Sequence, residues 1–271
     1  MNVSSANKNI PKVEERINMK KTSIRYIEEL SFNAHPSLQT QYYDGWVLRF
    51  ANGYSSRANS VNAIYPSTID LREKIEECEK RYFENNLSCI FKVTDENAKM
   101  LDGILDDRGY DVVTPTDVMI LDMTDKQFIL GDCIITEKVT DEWLETYFTL
   151  EKYTNQSTRD TLIKIRNMIQ NDTLYCIIKE DEKNVACASV VIENGYVYIA
   201  NVIVDEMYRG NGYGRRLCET LLAKAKEIGG HTAYLQVIQT NGIAVSLYEK
   251  LGFEKLYSYW YRVKKNCKNI N

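Results

Sequence analysis

The chain has 271 residues, of which 44% are hydrophobic and 27% are charged, a composition typical of a folded protein with a sizeable core. Its 38 Asp and Glu residues outnumber its 34 Lys and Arg residues, which gives a net charge of −4. This balance argues against a protein whose main task is to coat nucleic acid or an anionic membrane. We therefore predict neither a nucleic-acid partner nor a membrane partner, and the sequence predicts no oligomeric state.

Cysteine and histidine usage limits the metal sites and disulfides that this chain could form. Seven cysteines are present, an odd number, no C-x-x-C pair occurs, and only two histidines are available as metal ligands. We predict neither a zinc site nor a disulfide framework. The N-terminus is polar and lacks the apolar core of a signal peptide, so we expect a reducing cytoplasmic location.

The first half of the chain is predicted to alternate helices and strands. Residues 1–20 are polar and are predicted to form a tail. The elements that follow are a helix over 23–33, a strand over 43–50, a hairpin turn at Asn52-Gly53, a returning strand over 56–64, a helix over 70–86, a strand over 88–93, a helix over 96–107 and one or two strands over 112–122. The polar segment 124–132 is predicted to link two domains, 21–123 and 133–265, with 266–271 as a second tail.

The second half repeats this alternation. Its predicted elements are a strand over 133–139, a broken helical region over 141–171, a hairpin of 174–179 and 185–193, a strand over 196–204, a helix over 213–228, a strand over 232–237, a helix over 242–250 and closing strands over 253–263. A weak internal sequence repeat aligns Leu105 and Gly109 with Tyr248 and Gly252. Two unrelated α/β units remain the alternative to a repeat.

A glycine-rich loop between a buried strand and a helix is the most informative segment. Gly210, Gly212 and Gly214 allow backbone N–H groups to converge next to a helix N-terminus, which makes a phosphate cradle. The chain contains no Gly-Lys-Ser/Thr, and G-x-G-x-G is not the dinucleotide spacing G-x-G-x-x-G. What remains is the pattern Arg-x-x-Gly-x-Gly, which begins at Arg209, or a plain glycine-rich turn.

The context of this loop resembles the GNAT superfamily of N-acetyltransferases. The shared features are Tyr208-Arg-Gly-Asn-Gly-Tyr-Gly214 after a strand, and Asn241-Gly-Ile-Ala-Val-Ser-Leu-Tyr-Glu-Lys-Leu-Gly-Phe253 further on. The resemblance covers residues 133–264, whereas the first half looks like the degenerate partner domain of tandem members. It implies an α/β fold of two GNAT-like mixed, mostly antiparallel sheets flanked by helices.

The resemblance also implies a function and a cofactor site. It implies transfer of an acetyl group from acetyl-CoA to a primary amine of a small-molecule or peptide acceptor by direct attack. Backbone N–H groups of the strand before the loop would bind the oxyanion, and the loop would bind the pyrophosphate. The implied acetyl-CoA contacts are Val202, Ile203, Val204, Arg209, Gly210, Asn211, Gly212, Tyr213, Gly214, Arg215 and Asn241. A helix N-cap is the alternative role for Asn241.

Tyr248 is the implied general acid that protonates the departing thiolate. Its helical spacing with Ala244 and Leu251 directs it inward, which a core tyrosine would also show. The general base is left open, with Glu151 and Glu193 as candidates acting through water. A non-catalytic acyl-CoA-binding sensor is the alternative function.

Four residues of the first half also stand out as polar or large side chains on a predicted hairpin. They are Trp46, Arg49, Arg57 and Asn59. Ordinary surface and sheet-packing roles are the interpretation we favour for them.

Overall fold

One continuous sheet of eleven strands runs through the computed structural model, which describes residues 23–266. The strands are β1 (Gln39–Tyr43), β2 (Trp46–Phe50), β3 (Val61–Ala63), β4 (Cys89–Thr94), β5 (Asp111–Asp122), β6 (Ile134–Thr136), β7 (Asp172–Glu180), β8 (Lys183–Glu193), β9 (Tyr196–Val204), β10 (Thr232–Ile238) and β11 (Glu254–Lys264). The predicted tail 1–20 and residues 267–271 of the second predicted tail lie outside the described residues.

Seven helices accompany this sheet within residues 23–266. They are α1 (Ile24–Ala34), α2 (Leu71–Glu84), α3 (Ala98–Asp107), α4 (Asp141–Leu150), α5 (Gln156–Asn167), α6 (Tyr213–Glu227) and α7 (Gly242–Leu251). Short 3₁₀ turns cover Ser56–Ala58 and Glu206–Tyr208. Side chains cap several helix starts: Ser23, for example, accepts a hydrogen bond from the N–H of Tyr26.

The two halves of the chain exchange their last strands. The strand order is β1-β2-β3-β4-β11-β5-β10-β9-β8-β7-β6, so β11 lies between β4 and β5, while β5 pairs with β10. Only β3–β4 and β9–β10 are parallel pairs among the described strands. The predicted mixed, mostly antiparallel α/β fold with flanking helices is confirmed, and its two expected sheets are joined into one.

The predicted strand over 43–50 and the hairpin turn at Asn52-Gly53 are wrong. The turn lies at Asp44-Gly45, where both residues have positive φ (42° and 79°), and it joins β1 to β2. A Cβ on Gly45 would lie 2.2 Å from the carbonyl oxygen of Pro66, so this position requires glycine. Asn52-Gly53 instead begins the loop that leads to the 3₁₀ turn and the short β3.

Helices cover both faces of the second half of the sheet. On one face α6 and α7 pack Leu217, Leu221 and Leu251 against apolar side chains of β5 and β7–β10. On the opposite face α1 packs Ile27 and Leu30 against tyrosines of β9, β10 and β11. A separate core joins α2 and α3 to β2, β3 and β4. The C-terminal parts of β9 and β10 are thereby held between helical layers.

The same succession of strand, loop, helix, strand, helix, strand occurs twice. It runs from β3 to β5 and again from β9 to β11. Both α3 and α7 are followed by a glycine with positive φ, Gly109 (77°) and Gly252 (91°). The next N–H donates to a carbonyl five residues back, Leu105 at 3.1 Å in one case and Tyr248 at 3.0 Å in the other. Leu105 thus occupies in α3 the place that Tyr248 occupies in α7.

Candidate active site

Strands β9 and β10 separate at the centre of the sheet. Residues Tyr196–Ile199 of β9 pair in parallel with Thr232–Leu235 of β10, and the two strands diverge beyond that point. Asn201 has a positive φ of 56° at a register shift between β8 and β9, and its Nδ2 donates to Ser189 Oγ at 2.7 Å. The bulge bends β9 away from β10. A gap therefore opens beside residues 202–204.

Backbone N–H groups of β9 point into this gap. The N–H of Asp205 donates to the carbonyl of Val185, at 2.8 Å, on the side of β8. Because N–H directions alternate along a strand, those of Val204 and Val202 point the other way, where β10 has diverged. These two groups are therefore available to an oxygen atom in the gap.

The glycine-rich loop closes one end of the gap. Gly210 and Gly212 have positive φ values of 84° and 79°, and nothing lies within 4 Å of a Cβ built on either, so backbone conformation rather than crowding requires glycine there. Gly212 is the N-cap of α6 and offers no side chain to the first turn. The first N–H groups of α6 thus lack a side-chain cap and carry the positive end of the helix dipole.

A cleft of about 950 Å³ runs from this loop to the start of α7. Ten of the eleven predicted acetyl-CoA contacts line it, and the exception, Asn211, points its Nδ2 at the carbonyl of Tyr208 at 3.1 Å. Asn241 lines the cleft and also caps α7, since its Oδ1 accepts the N–H of Ala244 at 3.2 Å. Both expected roles of Asn241 are compatible with this position.

Tyr248 also lines the cleft, although its side chain is only 8% exposed. Its ring meets Phe253 edge to face, with 5.9 Å between centroids. Burial raises the pKa of the phenol above its usual value of 10.0, with smaller contributions from Cys218 and Tyr198. The hydroxyl is therefore protonated at neutral pH.

Two carboxylates line the cleft, and their electrostatic situations differ. Glu206 pairs with Lys152 at 2.9 Å, and hydrogen bonding to that lysine lowers its pKa. Burial raises the pKa of Glu151, while the nearby Arg57 opposes the rise. Glu193, the other candidate base, lies opposite Tyr196 at the far end of β9 and accepts hydrogen bonds from two asparagines.

In the first half, the loop before α2 corresponds to the glycine-rich loop, and it binds a carboxylate side chain of the same protein. Asp44, in the β1–β2 turn, accepts the N–H groups of Thr68 and Ile69 at 2.9 Å each and the hydroxyl of Ser67 at 2.6 Å. Lys74 lies 3.1 Å from the same carboxylate. The hydrogen bond from Ser67, followed by that from Ile69, holds the pKa of Asp44 well below its usual range. The Asp44 carboxylate therefore occupies the N–H groups of the loop before α2.

Residues of the first half reach the far side of the gap. The loop after β2 packs Ala58 against Ile165 of α5 and brings the ring of Tyr54 to 6.3 Å from that of Tyr153. Arg57 donates from Nη1 to the hydroxyl of Tyr198 on β9 at 3.0 Å. Our sequence-based preference for a packing role missed this position of Arg57, because the contact depends on how the two halves join.

The other three residues of that group have packing or backbone-binding roles. Trp46 is fully buried in the first-half core. Asn59 binds backbone groups of the loop after β2. Arg49 is 3% exposed and donates to two backbone carbonyls.

Comparisons with known proteins identify the family. A family model described as "Probable histone acetyltransferase Rv0428c C-terminal" matches residues 21–262. The chain belongs to this family. It is a GNAT-type N-acetyltransferase enzyme, which confirms the resemblance noted in the sequence.

Relatives match along almost the whole chain. "Uncharacterized N-acetyltransferase YobR" of Bacillus subtilis is 28% identical over 254 residues, which cover 89% of this chain and 99% of that protein. The fold is similar to that of a GCN5-related N-acetyltransferase from Kribbella flavida, with a TM-score of 0.67, 16% identity and coverage of 90% and 96%. A tandem GNAT protein from the clavulanic acid biosynthesis pathway has a TM-score of 0.64, with 12% identity and coverage of 89% and 88%. Among residues 23–266, no helix combines the length and apolar character needed to cross a membrane.

Proposed function

We propose that this GNAT-type acetyltransferase moves an acetyl group from acetyl-CoA to a primary amine by direct attack. One observation carries the proposal: the glycine-rich loop, residues 202–204 of β9 and Tyr248 line a single cleft. We further propose that residues 133–265 form the catalytic domain and residues 21–123 its degenerate partner, with β5 and β11 exchanged between them. Six free cysteines among residues 23–266 favour a reducing cytoplasm.

The pyrophosphate of acetyl-CoA is assigned to the loop before α6. Converging N–H groups and the positive helix end attract phosphate oxygens, and Arg209 and Arg215 add charge at the mouth of the cleft. The remaining proposed contacts lie along the cleft from this loop, with the thioester beside Val202, Ile203 and Val204. Asn211 is the weakest member of the proposed set, because its side chain turns back to the loop.

The proposed chemistry follows from these positions. The amine nitrogen forms a bond to the acetyl carbon, and an N–H group of β9 stabilises the oxyanion that develops. The intermediate collapses when the carbon–sulfur bond breaks, and the leaving thiolate takes a proton from the hydroxyl of Tyr248. The nitrogen, which became positively charged on attack, loses one proton to give the amide, and a proton from solvent restores the phenol of Tyr248. The hydroxyl of Tyr248 holds its proton at neutral pH and can donate it when the thiolate forms beside it.

We assign removal of the amine proton to Glu151, acting through a water molecule. An alkylamine has a pKa of about 10.4 and is protonated at neutral pH, so a base must remove its extra proton before attack. Glu151 lines the cleft, and burial raises its pKa, which makes it a better base than an exposed carboxylate. Glu206 is the weaker candidate base, because its ion pair with Lys152 lowers its pKa.

A thermal-shift titration tests the cofactor assignment. The protein is titrated with acetyl-CoA, desulfo-CoA and ATP, and the titration is repeated on Gly212→Glu and on Gly103→Glu. At 100 times its Kd, a ligand that binds only the native state stabilises by about 2.7 kcal/mol, which is easily detected. We expect a shift specific to the CoA compounds that is lost in Gly212→Glu, because the new carboxylate repels pyrophosphate.

Gly103→Glu is the matched control. Gly103 lies in α3, has no positive φ and has open space around its Cβ position, so the same substitution leaves the cleft unchanged. Retained binding in Gly103→Glu and lost binding in Gly212→Glu would support the assignment. No shift with either CoA compound would exclude it.

A further inference from the structure

A second cavity lies where β9 and β10 begin to separate, on the face of the sheet that α1 covers. Its volume is about 10 Å³, enough for one water molecule. Tyr198 of β9 and Gln236 of β10 form its wall at the sheet, and Gln236 is the first residue of β10 beyond the paired segment. The cavity thus adjoins the apex of the gap in which the acetyl group is assigned.

The lining of this cavity carries excess positive charge. Arg49, Arg57 and Lys92 contribute to it, and only Lys92 has a carboxylate partner, Glu28 at 2.6 Å. Among residues 23–266 no carboxylate oxygen lies within 4 Å of either arginine. Arg49 donates to backbone carbonyls and Arg57 to the hydroxyl of Tyr198, and these partners bind the guanidinium groups without neutralising them.

Two further groups nearby are left without partners. The hydroxyl of Tyr261 is buried and lines the cavity, and Tyr259 is its nearest polar neighbour, without the geometry of a full hydrogen bond among the described residues. Arg166 of α5 is 4% exposed, and its Nε is also buried without a partner in that part of the chain. Leaving buried polar groups unpaired is unfavourable, so an anion that received these hydrogen bonds would bind well.

The positive charge extends around His35. Burial, followed by Arg57, Arg166 and Arg49, lowers the pKa of this imidazole well below its usual value. The histidine is therefore neutral at pH 7. The three guanidinium groups and the Lys92–Glu28 ion pair are the charges here, and Glu28 also acts on Arg49, so the balance is positive. A chain with a net charge of −4 thus holds a concentrated positive site between its two halves.

A negative charge lies towards the cleft. Glu151 lines the cleft beside Val202–Val204 and is close enough to Arg57 for the guanidinium to act on its pKa. Tyr198, which holds Arg57, and Val202 are four residues apart on β9, about 13 Å at about 3.3 Å per residue. The site therefore presents a carboxylate at the reacting end and arginines at the other.

We propose that the acceptor amine also carries a carboxylate, which binds Arg57 and Arg49 in this cavity while the amine lies beside Glu151. The assignment rests on the proposed function, because it names the class of amine that the same site accepts. A carboxylate oxygen matches a cavity of one-water size, and it pairs with a guanidinium group in a fixed geometry. Arg57, supplied by the first half, determines specificity in the second.

Matched pairs of acceptors test the inference. Glycine, 4-aminobutyrate and 6-aminohexanoate are each compared with the corresponding amide as acceptors of acetyl groups from acetyl-CoA, and CoA release is measured. For the best-fitting length we expect kcat/KM for the acid to exceed that for the amide by about tenfold or more. In Arg57→Gln this ratio should fall towards one, and Arg57→Lys should restore part of it.

Arg72→Gln is the control, because it removes the same charge from an exposed position on α2 and should leave the ratio unchanged. Acetyl-CoA affinity of each variant reports whether the cleft is intact. Equal kcat/KM for acids and amides in the wild type would overturn the inference and leave the proposed function standing.

A binding measurement covers the case in which no amine is acetylated. Protein saturated with CoA, which occupies the glycine-rich loop, is titrated with 6-aminohexanoate and with its amide while its melting temperature is recorded. Stabilisation by the acid alone, lost in Arg57→Gln, supports the carboxylate site even if amine transfer fails. In that case, no stabilisation by the acid, or equal stabilisation by the acid and its amide, rejects it.

Discussion

The loops before α2 and before α6 occupy corresponding places in the two halves, but a carboxylate of the chain occupies one and an open cleft faces the other. In the first half the carboxylate of Asp44 takes the N–H groups that precede the helix. In the second half two glycines with positive φ hold the loop open, and a cleft of about 950 Å³ lies in front of it. The backbone of a strand–loop–helix unit favours anions. In the first half the Asp44 side chain takes up that capacity, and in the second half we propose that it serves a substrate.

The largest expected effect concerns the helix that follows each loop. Leu105 stands in the first half where Tyr248 stands in the second, so only one half offers a proton donor. We expect Tyr248→Phe to lower kcat about a hundredfold or more, because the thiolate then leaves unprotonated. Acetyl-CoA affinity should change little, which steady-state kinetics and a binding titration measure together.

Tyr42→Phe removes a hydroxyl from a tyrosine of β1 that is 78% exposed, and it should behave as wild type. Equal turnover in Tyr248→Phe and wild type would remove the general-acid assignment and the main chemical difference between the halves.

The second prediction concerns the base. Glu151→Gln should lower kcat/KM about tenfold or more, since the neutral amide accepts no proton. In the wild type kcat/KM should fall as the pH drops through the raised pKa of Glu151, because only the ionised carboxylate acts as a base. That acid-side ionisation should be absent from the profile of Glu151→Gln. Glu206→Gln removes the other cleft carboxylate, and the acid-side ionisation should persist in its pH profile. If the ionisation is lost in Glu206→Gln and kept in Glu151→Gln, the base is Glu206.

The smallest expected effect concerns Asp44, the carboxylate that binds the loop before α2. The pKa of Asp44 is lowered in the folded state, so its ionised form stabilises the fold at neutral pH, and this contribution is lost as the pH falls below about 4. Asp44→Asn should therefore lower the melting temperature at pH 7, and the difference from wild type should shrink in acid. Asp107→Asn, at an exposed carboxylate ending α3, is the control. The same melting temperature for Asp44→Asn and wild type at pH 7 would contradict the role given to this carboxylate.

Local patterns in the sequence explain what could be predicted. Strand 196–204 and the helix that begins at 213 follow from unbroken apolar periodicity and clear glycine signals, and the structure has them at those residues. The turn at Asp44-Gly45 was missed because apolar and aromatic residues on both sides give the pattern of one longer strand. Its contacts come from Tyr65, which donates its N–H to the Gly45 carbonyl, and from Thr68, which donates to Asp44, and both lie twenty or more residues away.

The far side of the site could not be predicted for a different reason. Tyr54 and Arg57 lie in a loop with no motif, and they meet Tyr153 and Tyr198 only because the two halves form one sheet. No periodicity or spacing encodes contacts between residues that lie about 100 and about 140 positions apart. The sequence therefore predicts the proposed cofactor side of the cleft, which is built from one continuous stretch, and misses the proposed acceptor side.

The exchanged strands also set the order in which the protein can mature during synthesis. β11 leaves the ribosome after the other ten described strands, and its place lies between β4 and β5 of the first half. Until β11 has been synthesised, β4 has an unpaired edge of the kind that recruits other chains. Folding of the first half must therefore wait for a strand that follows most of the second half, whereas domains generally fold one after another from the N-terminus.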